Sequence, residues 1–343
     1  MSGFLVVGGG KMGLSHLAIL NRLLDRGQVA VVDPSKLTRF IFARVGIRTY
    51  ASLDAALAAS TTWSGAVVAT PTASHFPIAR ALLERGIPCF IEKPLTLNPA
   101  RSAALLELQL QKAVVAQMGF VLRFVQPFVR LRQIVRSGVL GAPLSYNARM
   151  LGNVVTKPEN DSWRTDFQRG GGCLNEYGPH LIDLCRAIFG DVQTLASASF
   201  GRVHSTRGDD SADIQWHHSQ GAVGTLRLDW CDTSRRKSYT DFDVQFEHGR
   251  VHANIAEIRV EADPNADLDA IQLAALTAPT LPFPVNFYLR GEEFTLQLEL
   301  FLERVLGRRM MRADIGHDLA ADLADGRAVD QLIFDTAALG GLA

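Results

Sequence analysis

The feature that most constrains this chain is a glycine-rich turn near its N-terminus. Residues 4–7 are apolar and residues 11–26 carry apolar side chains at roughly helical spacing, which predicts a strand before the turn and a helix after it. Gly8, Gly10 and Gly13 have the spacing GxGxxG. Because glycine has no side chain, a phosphate can approach the backbone at Gly10, where free amides at the start of the helix attract it. The turn is therefore a candidate pyrophosphate site.

An acidic residue ends the next predicted strand. Residues 29–32 are apolar, and Asp33 follows them, 20 residues beyond Gly13. A carboxylate at this position of a βαβ unit binds the ribose hydroxyls of a dinucleotide and repels a 2′-phosphate, which favours NAD over NADP as the cofactor. The alternative is that Asp33 only caps the turn that Pro34 and Ser35 form.

Helices and strands continue to alternate after Asp33. The pattern predicts helices at 55–59 and 78–85 and strands at 65–69 and 88–91. Such alternation is typical of a parallel, doubly wound α/β sheet, which binds ligands beyond the carboxyl ends of its strands. Those ends carry Gly8-Gly9-Gly10, Thr70-Pro71-Thr72 and Glu92-Lys93-Pro94. We therefore expect the chemistry of the protein at this edge of the sheet.

Composition excludes several classes of protein. Lysine and arginine number 35 together, as do aspartate and glutamate, so charge gives no reason to expect nucleic acid or an anionic membrane as a partner. No run approaches the roughly 20 apolar residues of a membrane span, and the N-terminus lacks the features of a signal peptide. The four cysteines have no CxxC spacing, which favours reduced thiols and no metal site. We expect a cytoplasmic protein that binds small molecules.

The second half of the chain predicts a different kind of sheet. Strand patterns separated by turn-forming residues favour a largely antiparallel arrangement. The predicted strands are 195–203, 211–217, 222–230, 241–246 and 258–261, and the predicted helices are 100–112, 125–135, 294–306 and 320–339. We expect two domains, residues 1–122 and 123–343, with the final helices able to pack back on the first domain.

Five segments, taken in order, resemble one known family. They are Ala69–His75, Glu92–Leu95, Gly119–Phe124, Gly170–Leu174 and Gly178–Asp183. Together with the N-terminal glycines, they resemble the glucose-fructose oxidoreductase, inositol dehydrogenase and rhizopine-catabolism (Gfo/Idh/MocA) family of NAD(P)-dependent oxidoreductases over nearly the whole chain. The resemblance implies an N-terminal Rossmann domain and a C-terminal α/β domain whose large open sheet covers the nicotinamide and often joins subunits, here as a homodimer or homotetramer.

The resemblance also implies roles for individual side chains. Lys93 matches the lysine of the family's EKP motif and His180 its general acid/base, while Glu176 stands where many members have aspartate. Glu176 and His180 share one face if this segment is a helix, and Asp183 either orients the imidazole or serves only the helix. The candidates for binding the cofactor are Gly8, Gly10, Lys11, Met12, Gly13, Asp33, Thr70, Pro71, His75, Glu92 and Lys93, and those for binding the substrate are Arg123, Trp163, Arg164 and Tyr177.

Several of these candidates have an ordinary structural role as the alternative. For Lys93 it is a solvated ammonium paired with the neighbouring carboxylate. For His180 it is a plain helix histidine, and for His75 a cap on the helix that follows. For Trp163 and Arg164 it is a structural aromatic beside a surface arginine.

Together these features predict a dehydrogenase. Oxidation of an alcohol needs a base for the hydroxyl proton while the hydride leaves for the nicotinamide, and an imidazole that titrates near neutrality suits that task. We expect the substrate to be a secondary hydroxyl of a sugar, cyclitol or sugar derivative, with Lys93 stabilising the alkoxide and His180 taking the proton. One alternative is a non-catalytic cofactor-binding sensor or regulator, which Glu176 keeps open. The other is a reductase of an imine, enone or ketosugar.

Overall fold

Two sheets organise the chain in the computed structural model, which describes residues 3–25, 27–59, 62–158, 162–278, 285–310 and 316–342. The chain divides into two units, residues 1–121 with 282–330 and residues 122–281 with 331–343. The described strands are β1 Gly3–Val7, β2 Val29–Val32, β3 Arg48–Tyr50, β4 Trp63–Val68, β5 Cys89–Ile91, β6 Ala116–Met118, β7 Pro143–Leu151, β8 Val192–Gly201, β9 Ser211–His218, β10 Val223–Asp229, β11 Tyr239–Phe246, β12 Gly249–Asn254 and β13 Ile258–Ala262. The described helices are α1 Lys11–Leu23, α2 Lys36–Arg44, α3 Leu53–Ala59, α4 His75–Glu84, α5 Pro99–Lys112, α6 Gln126–Ser137, α7 Cys173–Glu176, α8 Gly178–Phe189, α9 Ala270–Thr277, α10 Glu292–Leu306 and α11 Leu323–Leu339.

The sheet of the first unit is parallel throughout its described strands. Its order is β3-β2-β1-β4-β5-β6, with helices in the connections between successive strands. The order reverses between β1 and β4, as in doubly wound sheets that bind ligands at that switch point. The predicted Rossmann sheet is thereby confirmed.

The core of this unit lies between the sheet, α1 and α10. Phe4 of β1 and Phe90 of β5 are buried together with Leu17 and Leu20, whose three-residue spacing gives α1 its apolar face. Phe301 of α10 meets the Phe90 ring edge-on at 5.9 Å between centroids. A helix from late in the sequence therefore completes the core of the N-terminal sheet.

The sheet of the second unit has the order β13-β12-β11-β7-β10-β9-β8 among the described residues. Its neighbouring strands run antiparallel except β7 and β10, which are parallel. In β9, Ile214 and Trp216 are buried whereas Asp213 and Gln215 are exposed, so one face packs on helices and the other carries polar side chains. The predicted mostly antiparallel sheet is confirmed.

The sequence analysis missed several short elements. Among them are the three-residue strands β3 and β6, which are too short to show a periodic apolar pattern, and α2, which buries only Phe42 and so has no buried apolar face. It also missed β7 and β12, in which polar residues alternate with buried ones. Because β3 was not predicted, Glu92-Lys93-Pro94 follows the fifth strand of the chain and not the fourth.

The structure also shows the state of the cysteines, the spacing of possible metal ligands and the character of the helices in its described residues. The four cysteines are free thiols, and three of them are buried. Within the described ranges, no three His, Cys, Asp or Glu side chains are grouped to hold a metal ion. Every helix in the same ranges is too short or too polar to span a bilayer.

Candidate active site

The glycine turn lies between β1 and α1 at the carboxyl edge of the first sheet. Gly8 has a φ of +101°, which favours glycine, and a Cβ on Gly13 would overlap the carbonyl oxygen of Gly8. A Cβ on Gly10 would meet no atom within 4 Å, so the space over it is open. Gly10 is also the N-cap, so no side chain caps α1 and the amides that follow, beginning with exposed Lys11 and half-buried Met12, remain for a ligand.

Asp33 directly follows β2, and its carboxylate lies against the glycine turn. Oδ2 accepts a hydrogen bond from the Gly9 N–H at 2.7 Å, and Oδ1 accepts one from the Ser35 N–H at 2.8 Å. The Arg39 guanidinium donates to the carbonyl oxygens of Asp33 and Pro34. Asp33 therefore does cap the Pro34–Ser35 turn, and each carboxylate oxygen retains a further lone pair for a ribose hydroxyl.

The ends of β4 and β5 are joined through His75, the first residue of α4. Its buried ring has Nε2 at 2.9 Å from the carbonyl oxygen of Thr70 and Nδ1 at 2.9 Å from that of Pro94. The ring thus connects the two loops, and its role beside the nicotinamide stays a prediction. Thr70 Oγ1 is buried with no partner in the described part of the chain, while Pro71 is exposed. The Thr70 hydroxyl, at the carboxyl edge of the sheet, is therefore a polar group that can hydrogen-bond a ligand.

Glu92 and Lys93 form the charged end of β5. Glu92 is buried, with Oε1 at 2.7 Å from Nε2 of His16, and Oε2 accepts a weaker hydrogen bond from the Lys93 N–H at 3.3 Å. Burial alone would raise the pKa of Glu92, but the hydrogen bond to His16 and the attraction of His16, Lys93 and His75 lower it. The half-buried Lys93, joined to Pro94 by a cis peptide bond, therefore lies beside an ionised carboxylate.

His16 is a residue of this site that the sequence analysis missed. It lies on the buried face of α1, and its ring meets Phe90 edge-on at 5.4 Å between centroids. Its only signal in the sequence is a histidine three residues after Gly13 in an otherwise apolar helix face. Because its partner Glu92 is 76 residues away, only the folded chain reveals the pair.

In the second unit, Trp163 and Arg164 form an exposed turn held by the glycine run. The Arg164 guanidinium lies over the Trp163 ring, 5.1 Å from its centroid. The Gly172 N–H donates to the Arg164 carbonyl oxygen at 2.7 Å, and a Cβ on Gly171 would overlap the carbonyl oxygens of both turn residues. The glycines therefore let the turn lie against the start of α7.

The segment that carries Glu176 and His180 is helical but interrupted. α7 ends at Glu176 and α8 begins at Gly178, and Tyr177 between them keeps helical backbone angles, so a shared face for the two side chains stays a prediction. Pro179 lacks an N–H to donate to the preceding turn, and the His180 N–H donates only three residues back, to the Tyr177 carbonyl oxygen at 3.1 Å. Glu176 and His180 are both half-buried, one on each side of the break.

Two neighbours of this segment have polar partners inside the unit. Arg123 and Asp183 form a buried bidentate ion pair, with Nε–Oδ2 at 2.8 Å and Nη2–Oδ1 at 2.6 Å. The Tyr177 hydroxyl lies 2.8 Å from Ser238 Oγ, and burial raises the pKa of Tyr177 to about 12, so it stays protonated. Substrate binding by Arg123 and Tyr177 stays a prediction, and Asp183 at least anchors its helix to Arg123.

Comparisons with known proteins agree with this architecture. An oxidoreductase family model with an NAD-binding Rossmann fold matches residues 2–120, and the GFO/IDH/MocA C-terminal domain model matches residues 128–252. The rhizopine catabolism protein MocA of Rhizobium meliloti is 28% identical over 229 residues, which are 65% of this chain and 69% of that protein. An inositol 2-dehydrogenase of Leifsonia xyli is 36% identical over 140 residues, 40% of this chain and 41% of that protein.

A solved structure extends the similarity to nearly the full length. The crystal structure of GenD2 from gentamicin A biosynthesis, in complex with NAD, is 25% identical and has a TM-score of 0.75. The match covers 98% of this chain and 94% of that one. The two family models together match most of the chain, and the chain therefore belongs to the Gfo/Idh/MocA oxidoreductase family, with an NAD-binding Rossmann domain as its N-terminal unit.

Proposed function

We propose that this protein is an NAD-dependent dehydrogenase that oxidises a secondary hydroxyl of a sugar, cyclitol or sugar derivative. The observation that carries the proposal is the position of Lys93, at the carboxyl end of β5 beside the ionised Glu92. The glycine turn lies at the same edge of the same parallel sheet. An ammonium and a dinucleotide-binding turn on one edge are the parts that alcohol oxidation by a nicotinamide requires.

The residues of the glycine turn fit NAD. The open space over Gly10 and the first amides of α1 suit the pyrophosphate, and the carboxylate of Asp33 suits the ribose hydroxyls and disfavours NADP. Thr70 Oγ1 is a further group for the cofactor. When bound, NAD supplies the acceptor for the hydride that the substrate carbon loses.

Lys93 and His180 handle the hydroxyl proton in this proposal. The Lys93 ammonium donates a hydrogen bond to the hydroxyl oxygen and stabilises the alkoxide as it forms. The imidazole of His180 accepts the proton, and Glu176 favours the charged imidazolium that results. The substrate-binding residues are Arg123, Trp163, Arg164 and Tyr177. The relative named inositol 2-dehydrogenase supports a polyol as the substrate class.

The test measures NAD⁺ reduction across a panel of cyclitols, sugars and sugar nucleotides, with NADP⁺ in parallel. We expect turnover with NAD⁺ on at least one polyol, and Lys93→Met and His180→Asn should each lower kcat by about two to four powers of ten. Glu176→Asp is the matched control, since it keeps the carboxylate and should retain activity.

Two results would contradict the proposal. Full activity in both Lys93→Met and His180→Asn would remove these residues from the chemistry. Tight NAD binding without turnover of any compound, in either direction, would favour the sensor or regulator on the same fold.

We also propose that the enzyme acts in the cytoplasm as a homodimer or homotetramer built through the C-terminal sheet, with domains of residues 1–122 and 123–343 in which late helices pack back on the first domain. The free state of all four cysteines supports a reducing compartment. The polar outer face of the sheet carries ion pairs such as Arg149 with Asp241. Such a face is suited to contact with water or with the polar surface of a partner subunit.

A further inference from the structure

The carboxylate of Glu92 is fixed on several sides within the first unit. His16 Nε2 on α1 lies 2.7 Å from Oε1, and both side chains are buried. A Cβ on Gly119, in the loop after β6, would lie 3.2 Å from the Glu92 carboxyl carbon and Oε2, so the group is closely packed there. Among the described residues, Lys93 and His75 are the other charged or titratable groups that act electrostatically on it.

The contact with Glu92 determines which nitrogen of the His16 ring faces the carboxylate. Nδ1 of His16 is buried and has no hydrogen-bond partner among the described residues. Because an ionised carboxylate can only accept, the His16 Nε2 donates to Glu92. His16 is therefore placed as a donor to the carboxylate, and at 2.7 Å its hydrogen bond is shorter than the 3.3 Å one from the Lys93 backbone N–H.

The same contact connects two parts of the proposed active site. His16 lies on the helix that begins at the glycine turn, and Glu92 directly precedes Lys93 on the chain. The ionised carboxylate of Glu92 attracts the Lys93 ammonium and accepts a hydrogen bond from the Lys93 backbone N–H. A protonated Glu92 loses that attraction.

We propose that His16 is a positioning residue for Lys93, which it holds by keeping Glu92 as a carboxylate fixed beside that lysine; this inference rests on the role proposed for Lys93. His16 touches neither reacting atoms nor substrate in this account. It acts only through Glu92, which makes the effect separable from a packing role.

The first test compares His16→Leu with His16→Gln in steady-state kinetics. Leucine removes the donor, whereas glutamine keeps an N–H at similar reach. We expect kcat to fall about 10- to 100-fold in His16→Leu, because the hydrogen bond that fixes Glu92 is lost, with little change in KM for substrate. His16→Gln should restore most of the lost kcat. Equal losses in both variants would indicate packing alone and overturn the proposal.

The pH profile supplies a readout that packing would not move. His16 is among the causes that lower the pKa of Glu92, so its removal raises that pKa. Because protonated Glu92 no longer holds Lys93, the acid limb of kcat should move to higher pH in His16→Leu and stay in place in His16→Gln. An unmoved acid limb in His16→Leu would overturn the proposal.

A double-variant cycle keeps the proposal testable if His16→Leu alone folds poorly. Glu92→Gln removes the buried charge that lacks a donor in that variant. If His16 acts through Glu92, adding His16→Leu to Glu92→Gln should lower kcat no further. Additive losses would overturn the proposal.

A titration without turnover separates this inference from the proposed function. The carboxyl carbon of Glu92 can be followed by NMR in protein labelled with ¹³C at glutamate Cδ and assigned with Glu92→Gln. We expect its midpoint to move upward in His16→Leu, and an unchanged midpoint would overturn the inference. A parent protein that oxidises no substrate would contradict the proposed function, and the titration would still decide whether His16 controls Glu92.

Discussion

Asp209 and Asp210 are adjacent residues whose carboxyl pKa values are shifted in opposite directions because their surroundings differ. Asp209 is buried, and although its Oδ2 accepts the Leu174 N–H at 2.7 Å, burial raises its pKa to about 7. Burial alone would also raise the pKa of Asp210, but hydrogen bonds from Ser205 and Trp230 are among those that lower it. In mildly acidic solution one carboxyl is therefore neutral and its neighbour is charged.

We expect Asp209→Asn to gain stability relative to the parent protein as the pH rises. Protonated Asp209 stabilises the fold fully below the pKa of an unfolded aspartate, about 4, and that contribution is lost as the pH rises through about 7. Asparagine stays neutral and keeps an oxygen for Leu174. The difference in melting temperature, measured by calorimetry, should grow over this window and then level off.

The control for this prediction is Asp210→Asn. The folded pKa of Asp210 is lowered, so its contribution is present above the unfolded pKa and is lost as the pH falls. This variant should be less stable than the parent at neutral pH and approach it in acid. A difference for Asp209→Asn that does not change with pH would contradict the prediction.

At the scale of single residues, the sequence predicts what a local motif carries. Lys93, Asp33 and the glycines stand out because their chemistry depends on the residues beside them. His16 and Asp209 do not, since each acquires its importance from a partner that only folding brings near: Glu92 for His16, and the buried surroundings of α7 for Asp209. Environment sets the charge of a group, and environment is a tertiary property.

The unit of strand, turn and helix formed by β1, the glycines and α1 separates two reasons for glycine. Gly13 is required by packing, because a Cβ there would overlap the carbonyl oxygen of Gly8. Gly10 has ordinary backbone angles and open space around its Cβ position, so the fold itself does not require glycine there. The two positions should respond differently to the same substitution.

We expect Gly10→Ala to weaken NAD binding without loss of stability, and Gly13→Ala to lose both. At Gly10 the added methyl occupies the proposed pyrophosphate space and should raise the Kd for NAD at least about tenfold, with Tm unchanged. At Gly13 overpacking should cost about 1–3 kcal/mol. Titration calorimetry and thermal melts on both variants decide this. Unchanged NAD affinity in Gly10→Ala would remove the pyrophosphate from that space.

At the scale of elements, regular patterns predict well and interruptions do not. Longer helices such as α5 and α10 follow from their apolar spacing, and most predicted ends lie within a few residues of the observed ones. The interruption between α7 and α8 involves the missing N–H of Pro179, which a periodic apolar pattern does not register. Strands of three residues, such as β3 and β6, owe their existence to pairing with a neighbour in the sheet.

At the scale of the whole molecule, the N-terminal unit depends on residues from late in the chain. Leu298, Phe301 and Leu302 of α10 are buried in the same core as Phe4 and Phe90. Cutting the chain after β6 would expose this surface. A domain defined only by its contiguous N-terminal sequence is therefore incomplete as a folding unit.

We expect Phe301→Ala to destabilise the protein by about 3–5 kcal/mol, the usual cost of removing a fully buried aromatic side chain. The same substitution at Phe334, which is half exposed on α11, is the matched control and should change stability by less than about 0.5 kcal/mol. Chemical denaturation followed by fluorescence measures both variants. Equal effects would mean that α10 contributes little to the core.

In the proposed site, Asp33 both favours NAD and holds the backbone of the glycine turn. Its two carboxylate oxygens hold the amides of Gly9 and Ser35, so replacing the acid to admit a 2′-phosphate also releases both amides. A lineage that exchanges NAD for NADP therefore has to supply a new acceptor near the turn along with the loss of the acid. A change of cofactor therefore requires paired substitutions. Variants changed only at position 33 should lose the hydrogen bonds of the turn without gaining affinity for NADP.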